Sequence, residues 1–134
     1  MTANSFLDSN IVVYAFDIRD SIKRKIALNL LLTNPFISSQ VIVESHNASI
    51  KKLKVPSQIC DDNVIVLCNT CQVVSLNETI VRSAISLKNK YSFSFLDSMI
   101  IATALAANCT TLYSEDMQHN QIIENTLTII NPFI

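Results

Sequence analysis

Apolar positions along this chain switch between two spacings. Short runs of three or four apolar residues alternate with longer stretches in which apolar residues recur every three or four positions. The first pattern marks buried strands and the second marks helices. Ser5–Leu7 reads as a strand leading into Asp8, and Asn10 to Phe16 as a buried helix. Asp20 suits the N-cap of a helix to about Leu32, with Ile22, Ile26 and Leu30 on one face. A strand follows over Pro35–Ser38, and Ser39 is placed to cap a helix through Glu44 to about Leu53. Pro56 fits the first turn of a helix ending near Cys71. Val73–Leu76 reads as a strand, and Asn77 caps a helix carrying Ile80, Val81, Ala84 and Leu87 on successive turns. Leu96 to Asn108 is apolar almost all round, as a buried helix is. Thr110–Tyr113 is a strand, Ser114–Asn120 a polar loop, and Leu127–Ile130 the last strand. Strand and helix alternation of this kind predicts one α/β domain over residues 1–134, with a central parallel sheet covered by helices on both faces.

Composition narrows the chemistry. The 134 residues include no glycine, against about 7% in an average protein. Glycine-rich phosphate loops, dinucleotide fingerprints and the Gly-x-Ser-x-Gly elbow are thereby excluded, because each needs backbone positions that only glycine supplies. The net charge of −1 hides an asymmetry. Residues 1–90 hold all ten Lys and Arg against seven acids, whereas residues 91–134 hold Asp97, Glu115, Asp116 and Glu124 with no Lys or Arg. The spacing Cys68-x-x-Cys71 lacks the second pair a structural zinc site requires, so the four cysteines read as free thiols of a reducing compartment. No secretory leader is evident, and the uncharged window Ser98–Ser114 is too short and polar to span a membrane. A cytoplasmic protein is the simplest expectation.

Four acids stand out by position. Asp8 follows the first strand, Glu44 lies in the helix after the second, Asp97 opens the buried helix, and Asp116 follows the Thr110–Tyr113 strand. In open α/β sheets ligands bind beyond the carboxyl ends of the strands. Each acid alone has a plainer explanation: Asp8 and Asp97 as N-caps, Glu44 on a solvated helix face, Asp116 in a turn. Together they form an oxygen-only donor set suited to Mg2+ or Mn2+. The remaining acids Asp17, Asp20, Asp61, Asp62, Glu78 and Glu124 read as caps or solvated positions, and His46 and His119 lack ligand spacing.

These segments match a known pattern in order. Phe6-Leu7-Asp8-Ser9-Asn10, Ser38-Ser39-Gln40-Val41-Ile42-Val43-Glu44, Ser94-Phe95-Leu96-Asp97-Ser98 and Thr111-Leu112-Tyr113-Ser114-Glu115-Asp116 resemble the four motifs of PIN-domain ribonucleases, and the closing Asn131-Pro132-Phe133 fits the VapC-like toxin branch. The resemblance implies a three-layer α/β/α sandwich. It implies an acidic site of Asp8, Glu44, Asp97 and Asp116 binding Mg2+ or Mn2+, hydrolysis of RNA, a homodimer and a small antitoxin partner. On that basis Asp8, Asp97 and Asp116 are expected metal ligands, and Glu44 a ligand or a group orienting water. Asn10, Ser114 and Glu115 are their expected supports. Arg19, Lys23, Arg24, Lys25, Lys51, Lys52 and Lys54 are candidate phosphate contacts, or simply solvated helix faces. Two departures stand out: Leu96 replaces a frequent Trp, and Asn120 replaces the glycine of a usual His-Gly-Gln. Asn tolerates left-handed backbone best among the non-glycine residues, so a positive φ is expected at Asn120. The competing expectations are a non-catalytic scaffold of the same fold and a metal-dependent nuclease or phosphatase acting on DNA or small phosphate esters.

Overall fold

A computed structural model describes residues 4–134. In chain order the elements are β1 (Ser5–Leu7), α1 (Ser9–Phe16), α2 (Ser21–Leu31), β2 (Phe36–Ser38), α3 (Ser39–Lys51) and α4 (Ser57–Thr70). They continue with β3 (Gln72–Val74), α5 (Glu78–Tyr91), α6 (Phe95–Ala106), β4 (Thr111–Tyr113), β5 (Ile122–Ile123) and β6 (Leu127–Ile130). The strands form one sheet in the order β3-β2-β1-β4-β6-β5. Pairing is parallel except between β5 and β6.

From β1 the chain steps outward through β2 to β3, then returns across β1 to β4. Parallel crossovers are right-handed, so reversing the direction of travel moves the connecting helices to the other face. Packing agrees: α1 meets α2 and α3, and α3 meets α4, while α5 packs on α6. The result is the expected sandwich of helices, sheet and helices. The reversal also places a topological switch between β1 and β4, whose registers align Leu7 with Tyr113.

The core is continuous around the sheet. Phe6, Ile37, Leu112 and Ile129 from the strands and Ile11, Val12, Ile101 and Ala104 from the helices are fully enclosed. β6 alternates buried and half-buried positions, while edge strand β3 exposes Gln72 and Val73, contrary to the expectation of uniformly buried strands. An edge strand has a neighbour on one side only, so its side chains reach solvent.

Local chemistry sets the helix starts. Ser38, not Ser39, caps α3: its extended backbone lets Oγ accept from Val41 N at 3.2 Å. Ser39 is already helical, and its hydroxyl accepts from Leu76 N. Asp20 and Asn77 cap α2 and α5 as expected. Helix α6 begins at Phe95, capped by Ser94 rather than Asp97. β5 was not expected, because two residues are too few to show a period. With no glycine available, left-handed backbone falls to Asn34, Asn108, Asn120 and Asn125, and also to Lys54, Ser92 and Glu124. Asn120 has φ 68°, as expected, with its N–H donating to Ile129 O. Ser92 terminates α5 in the left-handed conformation. Among the described residues, no helix is long and apolar enough to cross a membrane.

Candidate active site

The site is built where the switch point opens. Asp8 leaves β1, donates its N–H to Tyr113 O on β4 (3.0 Å), and becomes the N-cap of α1. Its side chain is 6% exposed. Oδ1 accepts from Ser9 N at 2.7 Å and Oδ2 from the buried Ser114 hydroxyl at 2.8 Å. That hydroxyl also accepts from Met117 N, so Ser114 ties the loop after β4 to the first acid.

The second acid comes from α3. Glu44 Oε1 accepts from the Ser9 hydroxyl, and Oε2 accepts from Gln40 Nε2 at 3.3 Å. The same Gln40 amide donates to Leu96 O at 3.1 Å, joining α3 to the start of α6. Gln40 Oε1 is buried without a partner. Asp97 is the third residue of α6, half-buried, in the first turn where the helix dipole favours a carboxylate. The tetrapeptide Phe-Leu-Asp-Ser therefore occurs twice with different roles: its Asp is an N-cap at position 8 and a first-turn residue at 97. Asp116 is exposed in the loop after β4, and Asn10 fixes it: Nδ2 donates to Asp116 Oδ2 at 3.1 Å while Oδ1 accepts from Glu115 N at 3.2 Å.

Asp8, Glu44, Asp97 and Asp116 line one open cleft of about 700 Å3. Burial pushes the Asp8 carboxyl up to about 6; bonds from Ser114 and Ser9 oppose this, while the charges of Asp97 and Glu44 add to it. Asp97 is also raised, first by burial and then, against the Ser94 bond, by the charges of Asp116 and Glu44. No basic side chain hydrogen-bonds any of these four acids among the described residues. Mutually repelling, partly desolvated carboxylates with oxygen-only donors suit a hard divalent cation. As placed, however, no three or more His, Cys, Asp or Glu side chains among the described residues come close enough together to hold a metal ion.

Glu115 also lines this cleft, but its carboxylate is taken by other partners. It accepts from Tyr14 Oη at 2.8 Å and from Lys23 Nζ at 2.5 Å, and Lys23 lies over the rings of Tyr14 and Phe133. Lys23, expected as a phosphate contact, is thus occupied by an ion pair that raises its own pKa and holds α2 against the loop. Arg24 and Lys25 border a separate depression with Ile18, Leu28 and Leu32, and Lys54 lines neither. Arg19, Lys51 and Lys52 do line the acidic cleft. Arg24 and Lys25 follow Lys23 on α2 and face other directions, whereas Arg19 lies in the turn before α2 and Lys51 and Lys52 lie at the end of α3.

Asp17, expected to be a cap or solvated, is the C-cap residue of α1 but is buried and held by Arg19. Asp61, Glu78 and Glu124 are exposed, as expected, in surface pairs with His46 Nε2 (2.9 Å), Arg82 and Lys90. His119 Nδ1 accepts from Asn131 N. All four cysteines are free, as expected; Cys60, Cys71 and Cys109 are buried and Cys68 is exposed. Sequence reasoning missed Ser9, Gln40 and Tyr14 as partners of the acids. Only Ser9 carried a signal, through the repeated tetrapeptide.

A profile of the PIN domain family matches residues 5–124. Among curated proteins, none matches the sequence. Solved structures share the fold. A toxin–antitoxin complex from Klebsiella pneumoniae superposes with TM-score 0.72 at 19% identity, covering 96% of this chain and 98% of that one. Mycobacterium tuberculosis VapC20, described as a toxin cleaving the sarcin–ricin loop, gives 0.70 at 14% identity, covering 84% and 90%. Rickettsia felis VapBC2, bound to a fragment of its promoter DNA, gives 0.68 at 21% identity, covering 93% and 96%.

Proposed function

Because the chain belongs to the PIN domain family, we propose that it is a divalent-metal-dependent endoribonuclease and the toxin of a toxin–antitoxin pair. The observation that carries this reading is the convergence of Asp8, Glu44, Asp97 and Asp116 on one cleft at the β1–β4 switch, with Asp8 buried among like charges. Asp8, Asp97 and Asp116 would hold Mg2+ or Mn2+, and Glu44 would be a ligand or orient the attacking water. Such a cation supplies Lewis acidity at the phosphodiester and lowers the pKa of bound water. The chain's own residues do the positioning. Ser9 and Gln40 aim Glu44, Ser114 holds Asp8, and Asn10 holds Asp116. The Glu115–Lys23–Tyr14 contacts keep the loop after β4 in place.

RNA as substrate and a small antitoxin partner are supported by the solved relatives, one described as a toxin cleaving the sarcin–ricin loop and one as a toxin–antitoxin complex. A homodimer and a cytoplasmic setting belong to the same proposal. The test is incubation of the purified protein with RNA, DNA and small phosphate esters, with Mn2+ or with EDTA. Cleavage confined to RNA and to Mn2+, and absent from Asp8→Ala and Asp97→Ala, is the expected result. Undiminished cleavage by either folded variant defeats the assignment. Acid-dependent Mn2+ binding by calorimetry without cleavage of any substrate favours the scaffold instead.

A further inference from the structure

Asp17 is unusual in two respects. It is 6% exposed, and it is the C-cap residue of α1, beside the negative end of the helix dipole. Both features disfavour a carboxylate. They persist because Arg19, two residues on, closes over it. Arg19 Nε donates to Oδ1 at 2.9 Å, Nη2 to Oδ2 at 3.0 Å, and the Arg19 backbone N–H to Oδ1 at 3.0 Å. The guanidinium is nevertheless on the surface: the Arg19 side chain is 65% exposed. Both residues line the cleft that holds Asp8, Glu44 and Asp97.

A guanidinium has five N–H donors arranged on two usable edges. Asp17 occupies the Nε–Nη2 edge. Three N–H groups keep no protein partner among the described residues, and two of them form the Nη1–Nη2 edge. Its plane is set by the fork and the backbone bond, so this arginine lacks the mobility of an ordinary surface side chain. A rigid planar edge matches two non-bridging oxygens of one phosphate. Lys51 and Lys52, the other bases of the cleft, end α3 and offer point charges without such fixation.

We propose that Arg19 is the phosphate anchor of the cleft, binding the backbone of single-stranded RNA through its free edge, and that Asp17 is the positioning residue that fixes it. This rests on the ribonuclease reading above. The anchor places the chain relative to the acids and reads no base.

The experiment measures binding of a labelled single-stranded RNA in EDTA across a salt series, for wild type, Arg19→Met, Arg19→Lys and Asp17→Asn. Arg19→Met is expected to weaken binding about tenfold and to reduce the slope of log affinity on log salt by about 0.7. Arg19→Lys keeps the slope yet weakens binding about threefold, because an ammonium cannot form the fork. Asp17→Asn raises the net charge by one and still weakens binding about threefold, because the guanidinium is no longer held. With Mn2+ present, KM for RNA rises in all three while kcat changes little. Tighter binding by Asp17→Asn shows that Arg19 acts by charge alone and overturns the positioning role. Wild-type affinity in Arg19→Met overturns the anchor. Should Asp17→Asn fail to fold in a melting check, equal affinities of wild type and Arg19→Lys still sink the fork. Absence of RNA binding by the wild type, with or without metal, instead defeats the ribonuclease reading itself.

Discussion

Replacing Asp8 by Asn is expected to stabilise the metal-free protein while abolishing its activity. The carboxyl is raised from 3.8 to about 6 in the folded protein. The folded state therefore holds its proton more tightly than the unfolded chain does, and stability falls as pH rises through that window. Above about pH 6 the full penalty applies, and a shift of this size corresponds to about 3 kcal/mol. Near pH 4.5 the same relation leaves about 1 kcal/mol, since most folded molecules are then protonated at this site. Asn removes the charge but keeps the shape. Its carbonyl can accept from Ser9 N, and its amide can donate to the free lone pair of Ser114 Oγ. The Ser114 hydroxyl then loses its acceptor, a cost of about 1 kcal/mol. The expected net gain near pH 7.5 is about 2 kcal/mol, or a melting shift of roughly 6 °C. The gain should vanish towards pH 4.5. Urea and thermal melts in EDTA at both pH values measure it. Adding Mn2+ should raise the melting temperature of the wild type and not of the variant. If Asp8→Asn is no more stable than wild type near pH 7.5, or the difference is the same at both pH values, the desolvation argument is wrong.

Three further outcomes follow from the same geometry. Ser114→Ala removes a fully buried hydroxyl that serves both Asp8 and Met117 N, and should cost about 2 kcal/mol in denaturant melts and weaken Mn2+ binding by calorimetry. Gln40→Met loses the bonds to Glu44 and Leu96 O but also removes the unpartnered Oε1. Stability should hardly change while RNA cleavage falls roughly tenfold, and an unchanged rate would remove Gln40 from the site. Asn120→Ala should cost about 1 kcal/mol in a thermal melt while Asn120→Gly costs nothing, because only the Ala side chain resists φ 68°.

The sequence alone determined the order and nature of most elements and singled out four acids that the fold brings to one cleft. Hydrophobic spacing and caps are local, so β1, β2, β4, β6 and the helices were legible within a few residues. The position of Asp8 and Asp116 just past strands was enough to predict that they meet at one edge of a parallel sheet. The missing glycine even indicated where Asn120 must turn left-handed. What a linear reading could not supply was direction and company. Arg19 and Lys23 are equally basic in the sequence, yet one opens on the cleft and the other is held by Glu115, 92 residues away. Asp17 resembles any solvated acid until the turn after α1 folds Arg19 back over it. Gln40 is an ordinary polar residue until α6 brings Leu96 O beside it. β5 exists only because β6 gives it a partner. Apart from the local turn that joins Asp17 and Arg19, each of these depends on a contact between segments distant in sequence, or on which way one helix face turns. Periodicity records how much of a residue faces the core; only the packed structure decides which neighbour a polar group finds there.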